Sequence, residues 1–128
     1  MQPLKKKPPV KINKNAVALK AFFGITERWQ LNIDQESILL GVPKSTLYRW
    51  KHKQDGILSK DQLERISYLL GIYKALRILL PNEHAAHTWI HKPNAAALFG
   101  GRSALEKLML GRVIDLADVR RYLDAERG

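Results

Sequence analysis

The sequence contains no cysteine among its 128 residues, which excludes disulfide bonds and thiolate metal sites and is compatible with a reducing compartment. It also lacks a long apolar run. The most hydrophobic stretch, residues 68–80, is interrupted by Lys74 and Arg77 and is too short to span a bilayer. The lysine-rich beginning has no apolar segment behind it, unlike a signal peptide. We therefore expect a soluble, cytoplasmic protein without membrane contact.

Acidic residues are scarce in the first half of the chain. Residues 1–53 carry 11 Lys and Arg against 3 Asp and Glu, whereas residues 54–128 carry 11 against 9. The net charge of +10 is therefore concentrated in one half, as expected of a segment that binds a polyanion. A generic solubilising charge is the alternative interpretation. The near-neutral second half requires a different kind of partner.

The alternation of polar and apolar residues that marks β-strands is also absent, so we predict an all-α fold. A hydrophobic content of 45% is sufficient for a packed core. We predict three segments along the chain: a flexible basic arm over residues 1–14, a helix-turn-helix DNA-binding domain over residues 15–70 and a small helical domain over residues 71–128.

Polar residues that can accept a hydrogen bond from a helix N-terminus predict where the helices begin. Ser59 and Ser103 open S-x-x-Q and S-x-x-E capping boxes, respectively. The other predicted caps are Asn15, Asp34, Asn82 and Asp115. Apolar residues at helical spacing predict the buried faces. These are Val17, Leu19, Phe22, Phe23 and Trp29 in the first helix, Leu63, Ile66, Leu70, Tyr73, Leu76 and Leu80 in a strongly amphipathic helix, and Leu116, Val119 and Leu123 in the last helix.

Residues 37–54, SILLGVPKSTLYRWKHKQ, have the pattern of a helix-turn-helix. Gly41 stands where a tight turn between two helices requires a residue without a β-carbon. The small Ser37 allows close approach of the two helices. Residues 44–53 include no acid, and their polar positions carry cations or short hydrogen-bonding groups, as a recognition helix requires. The apolar positions predicted to hold the pair together are Leu40, Val42, Leu47 and Trp50.

Eight residues of this second helix are predicted to contact DNA. We expect Ser45, Thr46 and Arg49 to contact base edges or lie near them. Phosphate contacts fix the position of a protein on DNA without reading its sequence. We assign these contacts to Lys44, Tyr48, Lys51 and Lys53, and place His52 on the same outer face. The alternative is an ordinary amphipathic helix with a solvated basic face.

Two further motifs predict no ligand. His84, His87 and His91 are three and four residues apart, but no cysteine or HExxH motif completes a metal site, so we predict neither a metal nor a cofactor. The step Gly100–Ser103 lacks the spacing of a P-loop and follows no predicted strand. No spacing joins a nucleophile to a base, and enzymatic activity is not predicted.

The second half of the chain resembles the Xre/MbcA/ParS family of type II antitoxins. The toxin-binding domain of that family is marked by Trp, then Pro-Asn, then Gly-Gly leading into Ser or Thr and a leucine helix. The helix-turn-helix matches the N-terminal half of the family, with Pro43 and Ser37 as departures from its usual residues, and the resemblance covers about residues 15–128. The corresponding residues here are Trp89, Pro93, Asn94, Gly100, Gly101, Ser103 and Leu105.

The resemblance implies an antitoxin whose C-terminal domain binds a RES-domain toxin, or a related ADP-ribosyltransferase-like toxin, and obstructs its NAD cleft. It also implies an N-terminal domain that represses the operon encoding both proteins. Because operators of this kind are palindromic, we expect a homodimer. The alternative is a stand-alone helix-turn-helix repressor whose C-terminal half binds another protein or dimerises. The candidate toxin-binding residues are Asn94, Gly100, Gly101, Arg102, Ser103, Arg120, Arg121, Tyr122, Asp124, Glu126 and Arg127.

Overall fold

The computed structural model describes residues 13–53 and 55–128, so most of the predicted basic arm lies outside the described residues. The described chain is all-α, as predicted, and its only β-type pairing is an isolated bridge between Pro93 and Ser103. A short 3-10 turn, Trp89–His91, follows α5. No helix in the described ranges has the length and apolarity that crossing a membrane requires. The helices are α1 Lys14–Arg28, α2 Ile33–Leu40, α3 Lys44–Lys53, α4 Lys60–Leu79, α5 Glu83–Thr88, α6 Ala104–Leu108 and α7 Val113–Arg127.

Three of the predicted helix starts are confirmed. Ser59 and Gln62 form a complete capping box at α4, and Ser103 and Glu106 form one at α6. The side chain of Asn82 caps α5 by accepting a hydrogen bond from the backbone of the third helical residue. Local sequence is therefore sufficient to position these helix N-termini.

The other three predicted caps are wrong. Asn13, not Asn15, caps α1, and the Asn15 side chain instead accepts a hydrogen bond from the backbone of Leu58, 43 residues further along the chain. Asn32, not Asp34, caps α2, because its capping box with Gln35 satisfies two backbone donors reciprocally. The third misassigned cap, Asp115, lies in the first turn of α7, where it is fully buried.

Helix α4 is the central element of the fold, with α7 packed along one side and α1 along another. Its core-facing residues are Ile66, Leu69, Ile72, Ala75 and Leu76. The predicted amphipathic stripe is therefore wrong in part: Leu63 and Leu70 are 39% and 40% exposed. Val17 of α1, also predicted to be buried, is 58% exposed. Because neighbours flank α4 on two sides, its apolar residues are not confined to a single face.

Two long-range contacts fasten the first half of the chain to the second. The guanidinium of Arg65 on α4 donates to the carbonyl oxygens of Leu39 at 3.3 Å and Gly111 at 2.8 Å. The Nε2 of His91 lies 2.7 Å from the carbonyl oxygen of Trp29 and donates to it, since a carbonyl only accepts. The predicted division after residue 70 falls inside α4, which runs from Lys60 to Leu79. The two halves share the core around this helix.

Candidate nucleic-acid interface and partner-binding surface

The turn between α2 and α3 has the geometry of a helix-turn-helix. Gly41 ends α2 in the left-handed conformation, with φ of 72°, which favours glycine. Its N–H donates to the carbonyl of Ser37 at 2.8 Å, while the Ser37 hydroxyl donates to the carbonyl of Val42. The small side chain of Ser37 thus closes the turn by a hydrogen bond in addition to allowing close approach. The residues predicted to hold the two helices together, Leu40, Val42, Leu47 and Trp50, are all buried.

The predicted DNA-contacting residues form the outer face of α3. Thr46 is half-buried, and Tyr48 is 52% exposed. The other six, Lys44, Ser45, Arg49, Lys51, His52 and Lys53, are exposed. Because Leu47 and Trp50 anchor the inner side, this face is available to a partner along its whole length.

Two of the lysines assigned to phosphates are engaged by carboxylates of α2. The Nζ of Lys44 lies 2.7 Å from an oxygen of Asp34, and this exposed contact raises the pKa of Lys44. The Nζ of Lys51 lies 2.9 Å from Oε1 of Glu36, whose side chain is only 2% exposed. Each end of α3 is therefore tied to α2 by one ion pair. Neither pair was predicted from the sequence, because Asp34 was assigned to a helix cap and Glu36 carries no local signal of its partner.

In the second half of the chain, residues 93–103 form a corner closed by its own backbone. The N–H of Asn94 donates to the carbonyl of Arg102 at 3.0 Å, and the N–H of Gly101 donates to the carbonyl of Asn94 at 2.8 Å. Gly100 and Gly101 have φ of 59° and 89°, and a β-carbon on either would meet open space. The glycines are therefore required by backbone conformation and not by close packing.

The corner is not a phosphate-binding loop, because its amide protons are already used. The N–H of Gly100 donates to the carbonyl of Ala96, and that of Arg102 donates to the carbonyl of Phe99, each at 3.0 Å. The N–H of Ser103 donates to the Glu106 carboxylate at 2.9 Å. An anion cradle needs several N–H groups that point outward together, and this arrangement leaves none of the four from Gly100 to Ser103.

An aromatic cluster of Trp89, Phe99 and Tyr122 connects the corner to α7. The Trp89 and Tyr122 rings stack with centroids 6.4 Å apart, and Phe99 meets both rings edge to face, at 5.9 Å and 5.2 Å. Tyr122 was predicted as an exposed toxin contact, but it is half-buried because of this stacking. Beside the cluster lies a mainly apolar cavity of about 220 Å³, lined by Leu76, Leu79, Leu80, Trp89, Tyr122, Leu123 and Glu126.

The arginines near the end of α7 are paired within their own helix. Arg120 contacts Asp124 at 3.5 Å, and Arg127 contacts the same carboxylate at 3.6 Å. The guanidinium of Arg120 also donates to the carbonyl of Ser67 on α4 at 3.4 Å. Arg121 contacts Asp118 at 2.6 Å. Exposed pairs of this kind contribute little to stability and separate readily when a partner offers better contacts. Glu126, the remaining candidate toxin-binding residue of α7, is exposed at the edge of the apolar cavity.

A buried carboxylate, Asp115, lies in the first turn of α7. Asp115 accepts hydrogen bonds from Lys107 at 2.9 Å and from Arg112 at 2.9 and 3.0 Å. The bonds from Arg112, with those from Lys107, lower the pKa of Asp115 to about 2. The same contacts raise the pKa of Lys107 and of Arg112. Asp115 therefore joins the end of α6 to the start of α7.

The three histidines do not converge on one point. His87 stacks on Tyr73, with its Nε2 3.1 Å from the tyrosine hydroxyl, whereas His91 bonds to the Trp29 carbonyl. His84 is exposed at the start of α5. Over residues 13–53 and 55–128, no group of three or more His, Cys, Asp or Glu side chains is placed to hold a metal ion. Two of these histidines therefore have structural partners.

Comparison with known proteins shows a match over each half of the chain. Residues 8–71 match the family model described as the antitoxin Xre-like helix-turn-helix domain. Residues 75–128 match the model described as the antitoxin Xre/MbcA/ParS C-terminal toxin-binding domain. The chain is also 50% identical over 111 residues to the uncharacterized protein y4oB of Sinorhizobium fredii, an alignment covering 86% of this chain and 84% of that protein. Neither matched domain family is enzymatic.

Proposed function

The chain belongs to the Xre/MbcA/ParS antitoxin family, and from this premise we propose that it neutralises a RES-type, NAD-consuming toxin and represses its own operon. In this proposal a homodimer acts in the cytoplasm: its helix-turn-helix binds operator DNA, and its C-terminal half covers the NAD site of the toxin. The observation that carries the proposal is the placement of the two surfaces. A basic recognition face lies in one matched domain, and the Gly100–Gly101 corner lies in the other.

The DNA-binding part of the proposal is supported by the outer face of α3. Arg49 is exposed in the middle of the helix, between the buried Leu47 and Trp50. A guanidinium there can donate two hydrogen bonds to a guanine edge in the major groove. Lys53, exposed at the end of the helix, has no carboxylate partner among the described residues, so we assign it to a phosphate.

The toxin-binding part of the proposal is supported by the corner and by α7. Arg102 is exposed at the corner, and no ion pair engages its guanidinium in the part of the chain that the structure describes. A planar, donor-rich guanidinium fits a pocket that normally holds the phosphates of NAD. We therefore infer that Arg102 and the arginines of α7 face the toxin.

Both parts of the proposal are tested by measuring DNA binding and rescue from the toxin for each of two point variants of the full chain. Truncation at residue 70 would cut α4 and expose its core, so point variants are preferable. Arg49→Ala is expected to weaken binding to the promoter duplex of the chain's own operon by about 1–3 kcal/mol, while still rescuing cells that express the neighbouring RES-type toxin. Arg102→Glu is expected to lose rescue and keep DNA binding. Each variant is thereby the control for the other.

The outcomes separate the proposal from its alternative. Loss of both activities in either variant would contradict the assignment of the two surfaces to different partners. If the wild-type chain binds the promoter duplex but gives no rescue from the toxin encoded beside it, the stand-alone repressor is the correct function.

A further inference from the structure

Glu36 is a carboxylate buried inside the DNA-binding half. Its side chain is 2% exposed, with Oε2 accepting a hydrogen bond from the Thr26 hydroxyl at 2.6 Å and Oε1 accepting one from Lys51 at 2.9 Å. Thr26 belongs to α1, Glu36 to α2 and Lys51 to α3, so this one carboxylate joins three helices. A charge in such a place is costly unless it is both paired and hydrogen-bonded, and Glu36 is both.

These contacts hold the ammonium group of Lys51 against α2, although the side chain as a whole is 43% exposed. Besides meeting Glu36, its Nζ lies 5.1 Å from the centroid of the Phe23 ring, within the range of a cation–π interaction. Withdrawing the ammonium group to reach a phosphate would leave the buried carboxylate without its cation. An uncompensated buried charge is destabilising, which disfavours that movement.

We propose that Glu36 and Lys51 form a positioning pair that fixes the orientation of the recognition helix α3, and that Lys51 does not contact DNA. The inference rests on the proposed DNA-binding function. Leu47 and Trp50 anchor the inner side of α3, but apolar contacts alone permit a helix to rotate and slide by small amounts. A directional ion pair near its C-terminal end restrains that freedom and sets the angle at which Arg49 meets the bases.

The chain itself provides a control at a second buried carboxylate. Lys107 lies 2.9 Å from the buried Asp115, in the half that matches the toxin-binding domain, and Arg112 stays as the second cation on Asp115 when Lys107 is removed. Lys51→Met and Lys107→Met each remove one ammonium group from a buried carboxylate and keep most of the aliphatic chain. A general loss of stability would affect both variants, whereas loss of helix orientation would affect only Lys51→Met.

The first measurement is amide hydrogen exchange of α3 in the full chain without DNA. We expect faster exchange in α3 for Lys51→Met, at a temperature where both variants are folded, and unchanged exchange there for Lys107→Met. The double variant Glu36→Gln/Lys51→Met removes the unpaired buried carboxylate but does not restore the ion pair that restrains α3. It is therefore expected to have a higher melting temperature than Lys51→Met and to keep the fast exchange in α3. Unchanged exchange in Lys51→Met would overturn the proposal whether or not the chain binds an operator.

The second measurement is the salt dependence of binding to the promoter duplex and to a mixed-sequence duplex of equal length. Lys51→Met is expected to lower the ratio of promoter to mixed-sequence affinity by about 5- to 100-fold, the discrimination carried by one base contact. Its salt slope should match that of the wild type. Lys53→Met should instead reduce the slope by about 0.9, the value for one lost phosphate contact, for both duplexes. A similar fall in slope for Lys51→Met would show that Lys51 contacts DNA. If the wild-type chain does not prefer the promoter duplex, operon repression fails, and hydrogen exchange still decides the role of the pair.

Discussion

Replacing Asp115 by Asn is expected to weaken the second half of the chain in a manner that depends on pH. The carboxylate is 0% exposed and accepts hydrogen bonds from Lys107 and Arg112. Asparagine has nearly the same shape, so the substitution creates little cavity. It removes the negative charge between two cations and presents an amide N–H₂ group to one of these donors. The loss is therefore electrostatic and should vary with the protonation of the wild-type carboxylate.

The magnitude follows from the pKa of Asp115. The Arg112 and Lys107 contacts lower it from 3.8 to about 2 in the folded protein. A lowered pKa means that the folded state holds the charged form more strongly. The contribution to stability is therefore fully present above pH 3.8 and is lost as the pH falls through about 2. A shift of this size corresponds to about 2 kcal/mol of unfolding free energy. For a chain of this length, that is a decrease in Tm of roughly 5–10 °C.

The assay is urea unfolding of the wild type and Asp115→Asn at several pH values between 7 and 2. We expect a difference of about 2 kcal/mol at pH 7 that shrinks towards zero as the pH approaches 2. Asp118, whose pKa is also lowered, chiefly by Arg121, leaves the variant with some residual acid sensitivity. Asp124→Asn, an exposed position on the same helix, is the control and should change stability by less than about 0.5 kcal/mol. A difference between wild type and Asp115→Asn that stays constant from pH 7 to pH 2 would refute the electrostatic explanation.

Three further substitutions test other parts of the fold. Gly101→Ala should cost about 1–2 kcal/mol by backbone strain alone, since φ is 89° and a β-carbon would meet no neighbour; a neutral result in thermal unfolding would contradict this. Gly71→Ala should raise stability by up to about 1 kcal/mol through helix propensity, because the group in the way is the flexible end of Arg120; a loss above 1 kcal/mol would show that Arg120 is fixed in place. Arg65→Met should lower the unfolding free energy by about 1–3 kcal/mol within a single transition, because it leaves the Leu39 and Gly111 carbonyls without their shared donor; an unchanged Tm in calorimetry would exclude this role.

Local structure that is determined within a few residues was predictable from the sequence. Gly41 is required by the left-handed turn after α2, and the side chains of Ser59 and Ser103 cap the helices that follow them. Such interactions join residues three or four positions apart, so a short stretch of sequence contains both partners. The buried residues of the helix-turn-helix were predictable for the same reason, because the spacing of Leu47 and Trp50 places both on one side of a ten-residue helix.

The position of a residue that depends on a distant partner was not predictable from the sequence. Leu63 and Leu70 are spaced as a core stripe is, but α4 is flanked by both α1 and α7, and the side that carries these leucines faces solvent. Asn15 is a residue type that commonly caps helices, but its side-chain oxygen accepts a hydrogen bond from the backbone N–H of Leu58 instead. The aromatic cluster has the same origin: Trp89 and Tyr122 are 33 positions apart in the sequence and stack only after the chain has folded.

The charge of the first half illustrates what composition can and cannot show. Its excess of cations predicts a polyanionic partner, and two of its three acids, Asp34 and Glu36, are paired with lysines of α3. Within α3, Arg49 and Lys53 are the cations that no carboxylate engages among the described residues, and they are the ones proposed to contact DNA. In α7 the near-neutral charge arises from local pairs of arginine and aspartate. Under the proposed function, a toxin that offers carboxylates would exchange these weak pairs for its own contacts at little cost, whereas DNA would leave the Glu36–Lys51 pair intact.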